Sequence, residues 1–182
     1  MKILSFDLEL NQAPTGAKII EIGACVGDIL TGEILESYSA FVNPEEKLVD
    51  HIILLTSITQ QQVDAAGTLL AAYQGMEALA ARHACQRMPI VWGGGDGATL
   101  RKELPPETPW SFGRRELDVK AVFQAYEMAV GEKVQAGLAK AMTRLGLAFK
   151  GRKHRAIDDA NNTFLIYCAL LDKFNPKRNA NT

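Results

Sequence analysis

The chain is short of several things, and each shortage closes off a class of protein. Its 182 residues include only three cysteines, Cys25, Cys85 and Cys168, each in apolar company and none in Cys-x-x-Cys or Cys/His ligand spacing. That argues against a disulfide scaffold or a zinc site and fits a reducing, cytoplasmic setting with all three thiols in the core. No apolar run approaches the ~18 residues that a membrane span needs, so no membrane partner is expected. The first apolar run is broken by Asp7 and Glu9, which is unlike a secretory leader. An excess of one charge is missing too: 20 basic against 21 acidic residues leave a net charge of −1. Such a chain is no general coat for a polyanion, although local nucleic-acid binding stays open. Basic residues do gather at Lys150, Arg152, Lys153 and Arg155, and again at Lys173, Lys177 and Arg178. A solvated basic surface explains such runs about as well. Repeats and low-complexity segments are also absent.

What is present suits one domain with a full core: 47% of residues are apolar and 23% charged. Residues 1–174 read as that domain and 175–182 as a loose tail. Strands are expected over 2–9, 18–27 and 33–42, joined as an antiparallel meander whose second turn is Asp28-Ile-Leu-Thr-Gly32. Helices follow over 48–54, 59–65 and 68–85, then a short buried strand at 89–92 that ends in Gly93-Gly94-Gly95. Further helices are expected over 96–104, 119–130, 135–145 and 155–173. A hairpin-rich start followed by alternating helices and strands indicates an α/β domain with a mixed sheet.

The chemistry begins with Ser-Phe-Asp-Leu-Glu-Leu at 5–10. Alternation on a strand puts Asp7 and Glu9 on one face and Leu4, Phe6 and Leu8 on the other. Two like charges side by side in a dry setting need solvent or a cation between them. Asp96 enters a helix after a strand, where a plain N-cap is the simpler reading. The glycines before it are not a phosphate-binding P-loop, because no Gly-Lys-Ser/Thr follows, but they leave room for close approach to the backbone. Glu116 and Asp118 repeat the Asp-x-Glu spacing and read as helix-start chemistry, with Asp118 as N-cap. In His154-Arg-Ala-Ile-Asp-Asp159, the two aspartates differ by about 100° around a helix, and Asp159 lies on the smaller, drier stripe. Glu21, inside a buried strand, reads as structural, bonding loop amides. His51 has no acid partner at a comparable spacing and is set aside.

Asp7-x-Glu9, then Asp96 entering a helix, then His154-x4-Asp159, in that order, resemble the DEDDh 3′–5′ exonucleases of the ribonuclease H-like superfamily. The segment Leu54-Leu-Thr-Ser-Ile-Thr59 is similar to a Leu-Thr-x-Ile-Thr stretch of that family, and the branch most alike acts on histone mRNA and small RNA. Each motif alone is weak, whereas four in register over nearly the whole chain are strong. One departure is Leu10-Asn11, where many members carry a small residue and threonine.

The resemblance implies a ribonuclease H-like mixed sheet flanked by helices, and hydrolysis of single-stranded RNA or DNA from a free 3′ end to 5′-mononucleotides. It also implies two Mg²⁺ or Mn²⁺ ions, because four carboxylates without a Cys/His set favour hard cations. Asp7, Glu9 and Asp159 would hold one ion, and Asp7 with the substrate phosphate the other, while Asp96 would act mostly through water. His154 would be the general base, since an imidazole accepts a proton near neutral pH. Leu10, Thr56 and Ile58 would grip the terminal nucleotide. The competing readings are a binding module with a decayed site, a protein-interaction domain, and a metal hydrolase acting on free nucleotides.

Overall fold

Three long strands open the chain: β1 (Lys2–Ala13), β2 (Gly16–Asp28) and β3 (Glu33–Phe41). The computed structural model describes residues 1–14, 16–132 and 137–175. After the meander come α1 (Asp50–Thr56), α2 (Gln60–Asp64), α3 (Leu69–Arg82), β4 (Ile90–Val91) and α4 (Asp96–Glu103). The chain then runs through β5 (Leu117–Asp118), α5 (Val119–Ala129), α6 (Leu138–Arg144) and α7 (Ala156–Phe174). The sheet order is β3-β2-β1-β4-β5, with β1–β2 and β2–β3 antiparallel and β1–β4 and β4–β5 parallel. The expected mixed sheet, a meander followed by parallel strands, is therefore what forms.

Several boundaries differ from expectation. β1 runs on to Ala13, because its pairing with β2 continues past a register shift at Glu9/Leu10. The pairing skips Ile20, since Glu9 faces Glu21 while Leu10 faces Ile19. This bulge lets three isoleucines of one strand be buried in two places: Ile19 and Ile22 join the α3 side, and Ile20 joins Ile52, Ile58 and Val63 under α1 and α2. β5 was not anticipated, as two residues are too few to show alternation. Of the helix expected over 135–145, residues 135 and 136 lie outside the described residues, as do residues 176–182 of the expected tail. Cys25 and Cys168 are buried as expected, whereas Cys85 is only half-buried.

The sheet separates two main cores. Leu4, Phe6 and Leu8 pack against Tyr73, Met76 and Leu79 of α3. On the other face Ile3, Cys25 and Ile90 meet Phe123 of α5 and Phe164 and Ile166 of α7. The α7 face of β2 carries Glu21, Gly23, Cys25 and Gly27, and the glycines are what let the helix come so close. A Cβ on Gly23 would fall 2.0 Å from the backbone of Ala156 and Ile157, and one on Gly27 would fall 2.1 Å from the Phe164 ring. Gly23 is paired with Asp7 in the sheet. The first turn of α7 is thereby set down beside the strand position that carries the first acid.

Gly23→Ala should consequently destabilise the protein by about 2–3 kcal/mol, since backbone cannot move aside as a side chain can. Gly67→Ala, with open space around it, should stay within about 0.5 kcal/mol. Urea unfolding midpoints at constant slope test this; equal midpoints would show that α7 does not depend on the glycine.

Candidate active site

Asp7 and Glu9 are half-buried on β1, on the face that α7 covers, while Leu4, Phe6 and Leu8 are buried on the opposite face. α7 brings Asp159 to them, and the loop before it brings His154. Glu9, His154 and Asp159 each offer one potential metal-ligand atom, and these atoms lie within 4.8 Å of one another. Asp159, not Asp158, is the acid of this group. Asp158 instead closes the preceding loop, accepting the N–H of Arg152 at 2.8 Å.

Asp96 arrives from the other side of β1. Gly95, not Asp96, is the N-cap of α4, and Asp96 is the first helical residue. This corrects the simple cap reading, and the capping is done from a distance. Glu116 accepts the N–H groups of Gly95 at 2.5 Å and Gly97 at 2.8 Å. Asp118 accepts those of Gly93 at 2.9 Å and of Lys120 and Ala121 at the start of α5. Gly93, Gly94 and Gly95 have φ of 97°, 71° and 98°, a left-handed run that residues with side chains would resist. Tied down in this way, the loop leaves the Asp96 carboxyl without a hydrogen bond among the described residues.

All four carboxyls are raised, burial being the largest cause for each. Burial, then Asp96, Glu9, Asp159 and Glu21, push Asp7 well above its ordinary 3.8. Burial, with Asp159 and Glu21, lifts Glu9 from 4.5 to about 8 against the pull of Arg155. Burial, Glu116 and Asp118 lift Asp96 to about 7. Asp159 rises to about 6 through burial, although the N–H of His154 donates to it at 3.2 Å. Asp159 Oδ1 is buried and has no hydrogen-bond partner among the described residues. An orphaned oxygen inside a group of crowded acids is the donor set a hard divalent cation takes, so the residues fit such an ion.

Other expected positions sit differently. Thr56 and Ile58 are fully buried; the Thr56 hydroxyl donates to the Ile52 carbonyl and accepts the N–H of Ile58. Their side chains shape the segment from beneath, and it is Leu54 that stands exposed upon it. Leu10 is half-buried beside Glu9 and packs at the edge of the α3 core. Two participants were under-read from sequence. From the sequence, Glu116 reads as helix-start chemistry of its own segment and Arg155 as one of a basic run.

A family model described as an exonuclease matches residues 4–167. The chain is 26% identical to ERI1 exoribonuclease 2 of Danio rerio over 176 residues, covering 86% of this chain and 32% of that protein. It is 29% identical to the Mus musculus protein of the same name, covering 82% of this chain and 25% of that one. The chain thus spans a third or less of these curated relatives. Among solved structures, the nuclease domain of 3′hExo, a DEDDh family member bound to rAMP, superposes with a TM-score of 0.79 at 22% identity. That match covers 94% of this chain and 92% of the other, and it shows a shared fold.

The raised carboxyls predict a pH dependence. Glu9 holds its proton up to about 8 when folded, against 4.5 ordinarily, so the folded state binds more protons between those values. The stability this group contributes is complete below about pH 4.5 and lost as pH rises through about 8. In chelator, the melting temperature should therefore fall from pH 5 to 8.5, and Mn²⁺ at pH 8.5 should restore it. Asp7→Asn should flatten the slope and blunt the Mn²⁺ effect. A wild-type melting temperature that does not fall across this range would refute the crowding.

Proposed function

Because the chain belongs to the exonuclease family, in its DEDDh form, we propose that it hydrolyses single-stranded RNA or DNA from a free 3′ end, releasing 5′-mononucleotides. The observation that carries this reading is the convergence of Glu9, Asp159 and His154, with Asp7 close enough to be raised by Glu9 and Asp159, around an orphaned carboxylate oxygen. Residues 1–174 act as one exonuclease domain. The three free thiols support a reducing, cytoplasmic setting.

Asp7, Glu9 and Asp159 are the residues that would hold Mg²⁺ or Mn²⁺, with Asp96 contributing mostly through water. When bound, two such ions neutralise phosphate charge and make a hydroxide nucleophile available near neutral pH. His154 is exposed, and its main-chain N–H holds Asp159. Its ring would take the proton of the attacking water. The water oxygen bonds to phosphorus, the bond from phosphorus to the 3′ oxygen of the penultimate nucleotide breaks, and that oxygen leaves to be protonated by solvent. Leu10 and the segment around Thr56 and Ile58 would bound the terminal nucleotide.

Incubating a 3′-labelled single strand with Mg²⁺ should release mononucleotides, and a chelator should stop the release. Circular strands and 3′-phosphate ends should resist. Asp7→Asn and Asp159→Asn should abolish release while the fold survives. His154→Ala should lose about 10²–10⁴-fold in rate with metal affinity nearly unchanged, as expected of a base. A loss of metal binding in step with activity would make His154 a ligand, and full activity in the aspartate variants would overturn the reading.

A further inference from the structure

Glu21 adds a fifth carboxylate to a neighbourhood that already has four, and it raises Asp7, Glu9 and Asp159. A residue needed only to fill a strand would not be charged there. Glu21 is fully buried, yet both of its oxygens are satisfied. Oε1 accepts from Arg155 Nη2 at 2.9 Å and from the Ser39 hydroxyl at 2.9 Å. Oε2 accepts from Arg155 Nε at 3.1 Å and from the Ala156 backbone N–H at 3.1 Å. The guanidinium also lies 5.2 Å over the Phe41 ring, which limits its movement.

The residues gripped are Arg155 and Ala156, the N-cap and first residue of α7. Immediately before them stands His154, with φ of 60°, a strained conformation for a side-chain-bearing residue that persists only when its surroundings enforce it. Just after them, Asp159 N–H donates to the Arg155 carbonyl at 2.9 Å, while Asp159 Oδ2 accepts the N–H of His154. The turn from His154 to Asp159 is thus closed on itself and fastened to the sheet at one charged point.

We propose that Glu21 and Arg155 form a positioning clamp that fixes the His154–Asp159 turn over β1 in the geometry the reaction requires. Neither touches the reacting atoms, and both act through the residues that do. This inference rests on the exonuclease reading above for its kinetic consequence, though not for its structural one.

The test compares Glu21→Gln and Arg155→Lys with wild type, in the full chain and well below the melting temperature. Gln keeps the shape of Glu21 without its charge, and Lys keeps the charge of Arg155 without the two-pronged fork. On the labelled strand, each variant should lose about 10–100-fold in kcat, as is usual for residues that orient ligating groups. KM should change less than about threefold. Amide hydrogen exchange at Ala156 and Asp159 should speed up at least tenfold in both variants, with exchange in β1 unchanged. Wild-type kcat in a folded Glu21→Gln protein would overturn the proposal and leave the exonuclease reading intact. If the wild-type protein releases nothing with either cation, the exonuclease reading fails, and hydrogen exchange still decides the clamp: unchanged exchange in the variants overturns it, faster exchange supports it.

Discussion

The backbone of Ala156 and Ile157 rests on Gly23 with no room for a methyl group between them. Most of what is distinctive about the molecule follows from that contact. It allows α7 to lie against β2 and β1, with Phe164 over Gly27 and the Ser5 hydroxyl reaching the Ala160 carbonyl at 2.8 Å. It also fixes where the helix begins. Because Gly23 is the sheet partner of Asp7, the first turn of α7 comes down beside the acids of β1. One residue further along, a different approach would present Asp158 in place of Asp159, about 100° around the helix.

The resulting cluster opposes its own assembly. Burial and the repulsion of neighbouring acids raise every carboxyl in it, and hydrogen bonds offset only part of that cost. The structure tolerates the strain because its supports are placed outside the cluster. Two helices that each present an acid begin without a side-chain cap of their own. Each is capped by a carboxylate from a distant element: Glu116 serves α4, and Glu21 serves α7. The site acids are thus spared from capping, which leaves their oxygens open to a cation.

Much of this was legible in the sequence because the signals were local. Alternation in Phe6-Asp-Leu-Glu9 put the acids on one face, β-branched runs gave the meander, and Gly-Gly-Gly before Asp96 marked a special turn. What was not legible is long-range. Nothing near Glu116 reveals that its carboxylate serves a loop some twenty residues earlier. Nothing near Arg155 names Glu21, 134 positions away, as its partner. Nor does the Leu54–Thr59 segment reveal that Thr56 and Ile58 are buried, Ile58 in a third core with Ile20 at the bulge. A bulge is one residue in a register, and periodicity over so short a span does not disclose it.

The separation between Glu21 and Arg155 also orders events in time. Chains are synthesised at ≈ 5–20 residues per second, so the 134 positions between the two correspond to roughly 7–27 s between the addition of Glu21 and that of Arg155. In that interval Glu21 has no guanidinium and Asp7 and Glu9 have no covering turn. The face of the sheet that holds the acids has no cover until α7 is made. Only when α7 docks are they buried together. The dry, crowded state of the site therefore depends on α7, which is made long after the strands it covers.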